Sequence, residues 1–283
     1  MSFEQYEVSR DRGEPINLYL FEYGPSAGHR IGICDAERPI LFDGVTYQPE
    51  PIQRDTIKAS GTLDRAAMEI RTDRENPVAE MFRIYPPSQT VRLTIRQGHI
   101  GDPANQYLVV WTGRVLNVKW ENSECRLSCE PIATSLRRPG LRRRYQIACP
   151  HVLYGPICRA NKVAATSVAT MNAAADGVRG VKVNYLLSGD DLRTLRAGTF
   201  EWTTPDGLFE ARTILAVKGE GNVTTLTLAG IVRGLPAGYQ VNLVRGCGHN
   251  LDDCGQLHNN LPNYGGMPWI PSKNPVGKYS PYY

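Results

Sequence analysis

Residues 40–47 read ILFDGVTY. Asp43-Gly44 stands between two apolar arms, and that dipeptide supplies the positive φ that a two-residue hairpin turn requires. This reading decides the fold class, because the segments on either side carry the same strand character. Upstream, Ile16–Tyr23 (INLYLFEY) is rich in β-branched and aromatic residues, and HRIGI at 29–33 is a further strand candidate. Downstream, Ala67–Thr72 (AMEIRT), Thr90–Gln97 (TVRLTIRQ) and Tyr107–Trp120 (YLVVWTGRVLNVKW) alternate apolar and polar residues, as half-buried strands do. One helix start is legible in this half. Asn76 is a capping residue and Pro77 takes the first helical position ahead of Val78–Ile84. Together these elements predict a mainly β chain that opens with a β-barrel-like or sandwich domain over residues 1–140.

The pattern continues further along. Gly198–Thr204 (GTFEWTT) leads into a Pro205-Asp206-Gly207 turn, and Leu208–Lys218 and Asn222–Ile231 flank Gly219-Glu220-Gly221 as the arms of a hairpin. Ala164–Asp176, rich in Ala and Thr, fits neither strand nor helix clearly. A second β domain over 161–246 is therefore expected. The last 25 residues are dense in Pro, Gly, Asn and Tyr. They suit an extended arm on another surface, or a disordered tail, and exclude a long helix or a central strand.

Composition sets outer limits. The 283 residues are 41% hydrophobic and 21% charged, enough to bury one large or two modest cores, and the net charge of +4 is too small to imply nucleic-acid binding by itself. No apolar run reaches the roughly 20 residues of a membrane span. The N-terminus has no basic-then-apolar signal pattern, so synthesis in the cytosol with reduced thiols is expected.

Seven cysteines then need separate accounts. Cys125 and Cys129, in Cys-Arg-Leu-Ser-Cys, share one strand face with Leu127 and read as buried core thiols, as does Cys34 in HRIGICD. The other four lie in irregular, turn-forming segments: Cys149-Pro-His-Val-Leu-Tyr-Gly-Pro-Ile-Cys158 and Cys247-Gly-His-Asn-Leu-Asp-Asp-Cys254. Each pair looks like half of a four-thiolate site. Zinc ribbons prefer tighter knuckles of two to four intervening residues. The wider spacing suits an iron–sulfur cluster, with zinc and the absence of any metal left open. His151, His249 and His258 lie close enough in sequence to replace a thiolate, bond to a sulfur, or simply pack in the loops.

Five arginines occupy 137–144, just ahead of Cys149. A solvated face explains such a run, as does contact with phosphates or with an acidic protein surface. A sharper alternative is that Arg142, Arg143 and Arg144 offset the negative charge of a cluster. Gly24-Pro25-Ser26-Ala27-Gly28 matches the nucleophile-elbow pattern in form only. Pro25 interrupts it, and a strand candidate follows where a helix is needed.

The stretches LRRPGLRRRYQIACPHVLYGPIC, GCGHNLDDCGQLHNN and NYGGMPWIPSKNP resemble the baseplate hub, or tail tip, proteins of long-tailed phages and of gene transfer agents. The cysteine spacing is similar to that of the lambda-type tail tip proteins, which carry a [4Fe–4S] cluster. SRDRGEPINLYLFEYG and ILFDGVTYQPEPI resemble the N-terminal β domain of the same family. The resemblance implies a structural, non-enzymatic virion protein, assembled in the host cytoplasm and located at the tail tip. It implies a homotrimeric hub that joins the distal tail protein ring to the central fibre or spike protein, near the tape measure protein, with DNA passing through the lumen. It also implies that Cys149, Cys158, Cys247 and Cys254 ligate the cluster. The chain then divides into an N-terminal domain (1–140), an inserted β domain (161–246), and an irregular iron–sulfur segment with a C-terminal arm (141–160 plus 247–283). The alternatives are an iron–sulfur redox protein and a zinc-stabilised nucleic-acid-binding module.

Overall fold

The computed structural model describes residues 3–9, 11–24, 29–57, 67–83, 85–137, 140, 145–187, 191–205 and 207–271. It forms two compact units, Met1–Arg138 with Pro205–Glu210, and Pro139–Thr204 with Ala211–Tyr283. The boundaries expected at 160/161 and 246/247 fall inside the second unit. The first unit is organised around nine strands: β1 (Pro15–Tyr23), β2 (His29–Cys34), β3 (Ile40–Phe42), β4 (Val45–Pro49), β5 (Ile52–Arg54), β6 (Met68–Asp73), β7 (Val91–His99), β8 (Leu108–Glu121) and β9 (Glu124–Pro131). Their order in the sheet is β3-β4-β2-β1-β7-β8-β9-β6-β5, with only β2 and β4 parallel.

The Asp43-Gly44 hairpin forms as expected. Phe42 pairs with Val45, and both turn residues have positive φ, 50° and 71°. Two consecutive positive values define the turn whose twist matches its strands. The expected cap also forms: Asn76 Oδ1 accepts from the Val78 and Ala79 amides at 2.9 and 3.4 Å, opening the short helix α1 (Pro77–Met81).

The long central strand β1 is buried on both faces. Tyr19, Phe21 and Tyr23 enter one core with Ile95, Trp111 and Leu127, whereas Ile16, Leu18 and Leu20 enter a second with Cys34 and Tyr47. Each such side chain contributes about 1.5–3 kcal/mol on burial, so both faces matter to stability. Cys125, Leu127 and Cys129 are buried in the first core, on one face of β9, as the two-residue period predicts.

One expectation needs correcting. Among the described residues the N-terminal sheet is open, with β3 and β5 as its ends. The closed barrel is in the second unit. It comprises β10 (Thr166–Met171), β11 (Gly180–Asn184), β12 (Thr199–Thr203), β13 (Phe209–Glu220), β14 (Val223–Leu228) and β15 (Gln240–Val244), ordered β10-β11-β14-β13-β12-β15. Closure comes from β15 pairing with both β10 and β12. Alternation shows which side chains face a common core, but the register between distant strands decides whether a sheet closes. The ambiguous Ala/Thr-rich segment becomes β10. Its inward residues are the small or flexible Ala169 and Met171, which pack on Phe200, Leu226 and Leu243.

Two short helices of the second unit flank the barrel strands, α2 (Asp191–Leu195) before β12 and α3 (Leu251–Gln256) after β15; a further helix spans Phe3–Val8, and single 3₁₀ turns lie at Ile132–Arg137 and Leu261–Asn263. The cysteine-bearing segments emerge beside β10 and β15, the pair of strands that closes the barrel.

Candidate metal centre

The two cysteine segments meet. Cys149, Cys158, Cys247 and Cys254 line one small cavity with His151, His249, His258 and Asn260. The crossing point is a pair of bonds between Cys149 and His249: the Cys149 amide donates to the His249 carbonyl at 2.8 Å, and His249 Nδ1 lies 3.0 Å from the Cys149 carbonyl oxygen. For that second bond the imidazole carries its proton on Nδ1, because a carbonyl can only accept.

Each cysteine is placed by local structure. Cys254 sits in α3, whose cap Asn250 accepts from the Asp253 amide at 2.7 Å. Asp253 is buried, accepts from the Gly248 amide at 2.8 Å and pairs with Arg193 of α2, so it ties the Cys247 loop to the helix carrying Cys254. Cys158 is held through its carbonyl by the Asn260 side chain at 2.6 Å. Tyr154 anchors the loop between Cys149 and Cys158, donating to the Arg245 carbonyl at 2.6 Å and setting its ring edge-on to His258. Tyr154, Arg159, His249 and Asn259 all have positive φ. Left-handed residues of this kind persist only where surrounding bonds over-determine them.

Three sulfurs face N–H groups. The Gly265 amide points to Cys149 Sγ at 3.4 Å, the His249 amide to Cys247 Sγ at 3.3 Å, and Asn260 Nδ2 to Cys158 Sγ at 3.7 Å. The fourth sulfur, Cys254 Sγ, as a thiol donates to the Asn260 carbonyl at 3.3 Å. Gly265 can approach Cys149 because it has no side chain; a Cβ there would overlap the His151 ring.

Burial pushes the Cys254 thiol up to about 11, and the charges of Cys247, Cys149 and Cys158 push it in the same direction. Cys247 is raised by burial first, with further contributions from Asp253, Cys158 and Cys149. Cys247 and Cys254 thus resist ionising beside the other two cysteines. Cations bound among them would relieve that repulsion. Among the described residues, however, no group of three or more His, Cys, Asp or Glu gathers tightly enough to hold a metal ion. The cysteines share a cavity without converging on a point.

The candidate residues thus have distinct placements. All four cysteines come together, His249 bridges the two segments, and His151 lines the cavity. Arg142, Arg143 and Arg144 lie outside the described residues. Sequence reasoning missed Asn260, Asp253, Arg193, Tyr154 and Gly265. Asp253 alone had a readable signal, because it stands at the third position after the cap Asn250.

Comparison with known proteins agrees with this architecture. Residues 19–161, just over half of the chain, match a family described as "Baseplate hub protein, N-terminal attachment domain". Residues 193–274 match a family described as "Phage conserved hypothetical protein BR0599". A protein of Xylella fastidiosa (strain 9a5c), itself described as uncharacterized, is 24% identical over 165 residues, 54% of this chain, and the match spans about a third (34%) of that relative's length. A chain in the structure titled "Virion of native gene transfer agent (GTA) particle" has the same fold, with a TM-score of 0.79 at 17% identity, covering 96% of this chain and 93% of that one. The chain belongs to the baseplate hub protein family.

Proposed function

We propose that this chain is a structural component of a phage-type tail baseplate hub, and that its four-cysteine cavity holds a [4Fe–4S] cluster that locks the C-terminal segment onto the barrel. The observation that carries the cluster is the meeting of four cysteines from two distant segments around one cavity. The all-thiol donor set and the N–H groups facing three of the sulfurs suit an iron–sulfur centre. Zinc ribbons favour tighter knuckles than the spacings of Cys149 to Cys158 and Cys247 to Cys254. Cys149, Cys158, Cys247 and Cys254 would be the ligands, with Gly265, His249 and Asn260 bonding to their sulfurs. Bound among them, the cluster supplies a cross-link.

The mechanism is mechanical. The chain leaves the Cys149–Cys158 segment, builds the barrel, and returns through Cys247. Fixing the two ends together removes conformational freedom from the unfolded chain, worth about 4–5 kcal/mol for a loop of this size by analogy with a disulfide. Arg193, Asp253 and Asn250 pre-form the returning turn, so less ordering remains when the ligands close. Residues 19–161 match an attachment domain; in our reading the open sheet attaches the chain to the distal tail ring. A homotrimer carrying the central fibre or spike, with the tape measure protein nearby and DNA passing its lumen, follows as the assembly. The domain reading remains 1–140, 161–246 and the cysteine segment of 141–160 with 247–283.

The test is anaerobic purification followed by iron and sulfide analysis and visible absorption. About four iron and four sulfide per chain are expected. A colourless, iron-free protein that is nevertheless fully folded would discard the cluster. Imaging of intact tails, with and without Cys149→Ala, tests the hub: the variant is expected to impair tail assembly.

A further inference from the structure

Asn260 lies outside both cysteine pairs, yet it bonds to one member of each. It is 7% exposed, and every polar group it has is engaged. Its side-chain nitrogen donates to the Cys158 carbonyl at 2.6 Å and directs its second hydrogen at Cys158 Sγ, 3.7 Å away. Its backbone amide donates to the Cys254 carbonyl at 2.9 Å, and its own carbonyl accepts from Cys254 Sγ. Its Oδ1 accepts from Asn263 Nδ2 at 2.7 Å. The orientation of the amide is therefore fixed by chemistry: a carbonyl oxygen cannot donate, so the group facing Cys158 is the NH2.

The donors to Cys149 and Cys247 are backbone amides, whose hydrogen-bonding chemistry does not come from the side chain at 265 or 249. Asn260 differs because its contact to sulfur is made by a side chain, so the identity of the residue matters. Aspartate has the same shape without the donor. Leucine or alanine would leave the Cys158 carbonyl without its partner.

We infer that Asn260 is a positioning residue for the four-cysteine centre, clasping Cys158 of the first segment to Cys254 of the second and tuning the sulfur of Cys158 through its amide N–H. The inference rests on the cluster reading above. Two consequences follow. A hydrogen bond to a ligating sulfur draws negative charge away from the iron and raises the reduction potential. A clasp between one ligand of each pair also slows opening of the site, and loss of such outer partners typically costs 10–100-fold in metal affinity. When Cys254 ligates as thiolate, its proton leaves the Asn260 carbonyl, whereas the bond from the Asn260 amide to the Cys254 carbonyl is unaffected by that ionisation.

The experiment uses the full chain purified anaerobically, with Asn260→Asp, Asn260→His and Asn263→Ala beside wild type. The readouts are the midpoint potential by redox titration and the rate of iron release to a chelator. Asn260→Asp is expected to release iron about 10–100-fold faster and to shift the potential to more negative values. Asn260→His, which keeps a nitrogen donor, should recover part of the potential shift. Asn263→Ala, which touches no sulfur, should leave the potential near wild type. Thermal unfolding of the iron-free proteins separates a folding defect from a defect at the site. If Asn260→Asp does not fold, the potential of Asn260→His against Asn263→Ala decides. Iron-loaded variants indistinguishable from wild type in both readouts overturn the role of Asn260 and leave the cluster standing. A wild-type protein without iron overturns both.

Discussion

The same residue type is used in two ways in this chain, and the contrast shows what marks a ligand. Cys34, Cys125 and Cys129 are fully buried in the sheet cores, where burial drives Cys129 up to about 12, and burial with smaller pushes from Asp73 and Glu80 drives Cys125 up to about 11. Cys254 is nearly as buried and is raised to about 11, yet part of that rise comes from three other cysteines. Burial and a raised thiol therefore do not separate the two groups. What separates them is company: N–H groups directed at sulfur, irregular backbone held in left-handed conformations, and two segments brought together from far apart. The core thiols pack as small apolar side chains on regular strands. The site thiols sit on loops and on the short helix α3, where two segments wall a shared cavity.

The largest expected effect tests that division directly. Cys158→Ala should abolish iron binding and, if the cross-link operates, lower stability by about 4–5 kcal/mol, measured by denaturant unfolding under anaerobic conditions. Cys129→Ala should retain full iron and cost about 1–2 kcal/mol from the small cavity it opens. Equal iron loss in both variants would erase the distinction. Gly265→Ala stands between them. Its Cβ would meet the His151 ring, so either the ring or the residue-265 backbone, whose amide is the Cys149 donor, must shift; faster iron release with little change in barrel unfolding is expected.

The dependence on pH should have opposite signs in the two regions. For a core thiol the folded state holds its proton more tightly than the unfolded chain does. Its stabilising contribution is therefore complete below the unfolded value of 9.0 and is lost as pH rises toward about 12 for Cys129. Ligand thiols must lose protons to bind metal, so iron affinity should rise with pH over the neutral to mildly alkaline range. Unfolding and iron-binding titrations across that range check both slopes. Parallel slopes would contradict the assignment. The smallest effect concerns reactivity. In the metal-free native protein a maleimide should label Cys149 and Cys247, which are partly exposed, well before Cys125 and Cys129.

The difference between the regions also explains what could be read early. The turn at Asp43-Gly44, the cap at Asn76 and the inward face shared by Cys125, Leu127 and Cys129 were all legible, since each depends on residues within a few positions. The hairpin expected around 219–221 likewise formed, its tip shifted to Gly221-Asn222 between Glu220 and Val223. The four site cysteines could be singled out because nothing in their local sequence gave them a packing role. Their meeting could not be read from local pattern, and came only through resemblance to a family. Asn260 was invisible for a related reason: its partners Cys158 and Cys254 belong to different segments, and an asparagine in a polar loop is unremarkable until both arrive.

The sequence by itself determined that this chain is built mainly of β-strands, where several of its tight turns fall, and which cysteines are core and which are not. Those features follow from φ preferences, the two-residue period and local capping, all of which act over a few bonds. Only the tertiary structure decided that the first sheet is open among the described residues, that the second closes into a barrel, and that the two cysteine segments share one cavity with Asn260 between them. Closure and convergence depend on pairing across many residues. Their free energy is set by register and by the entropy of closing long loops, and neither is written in any short stretch of chain.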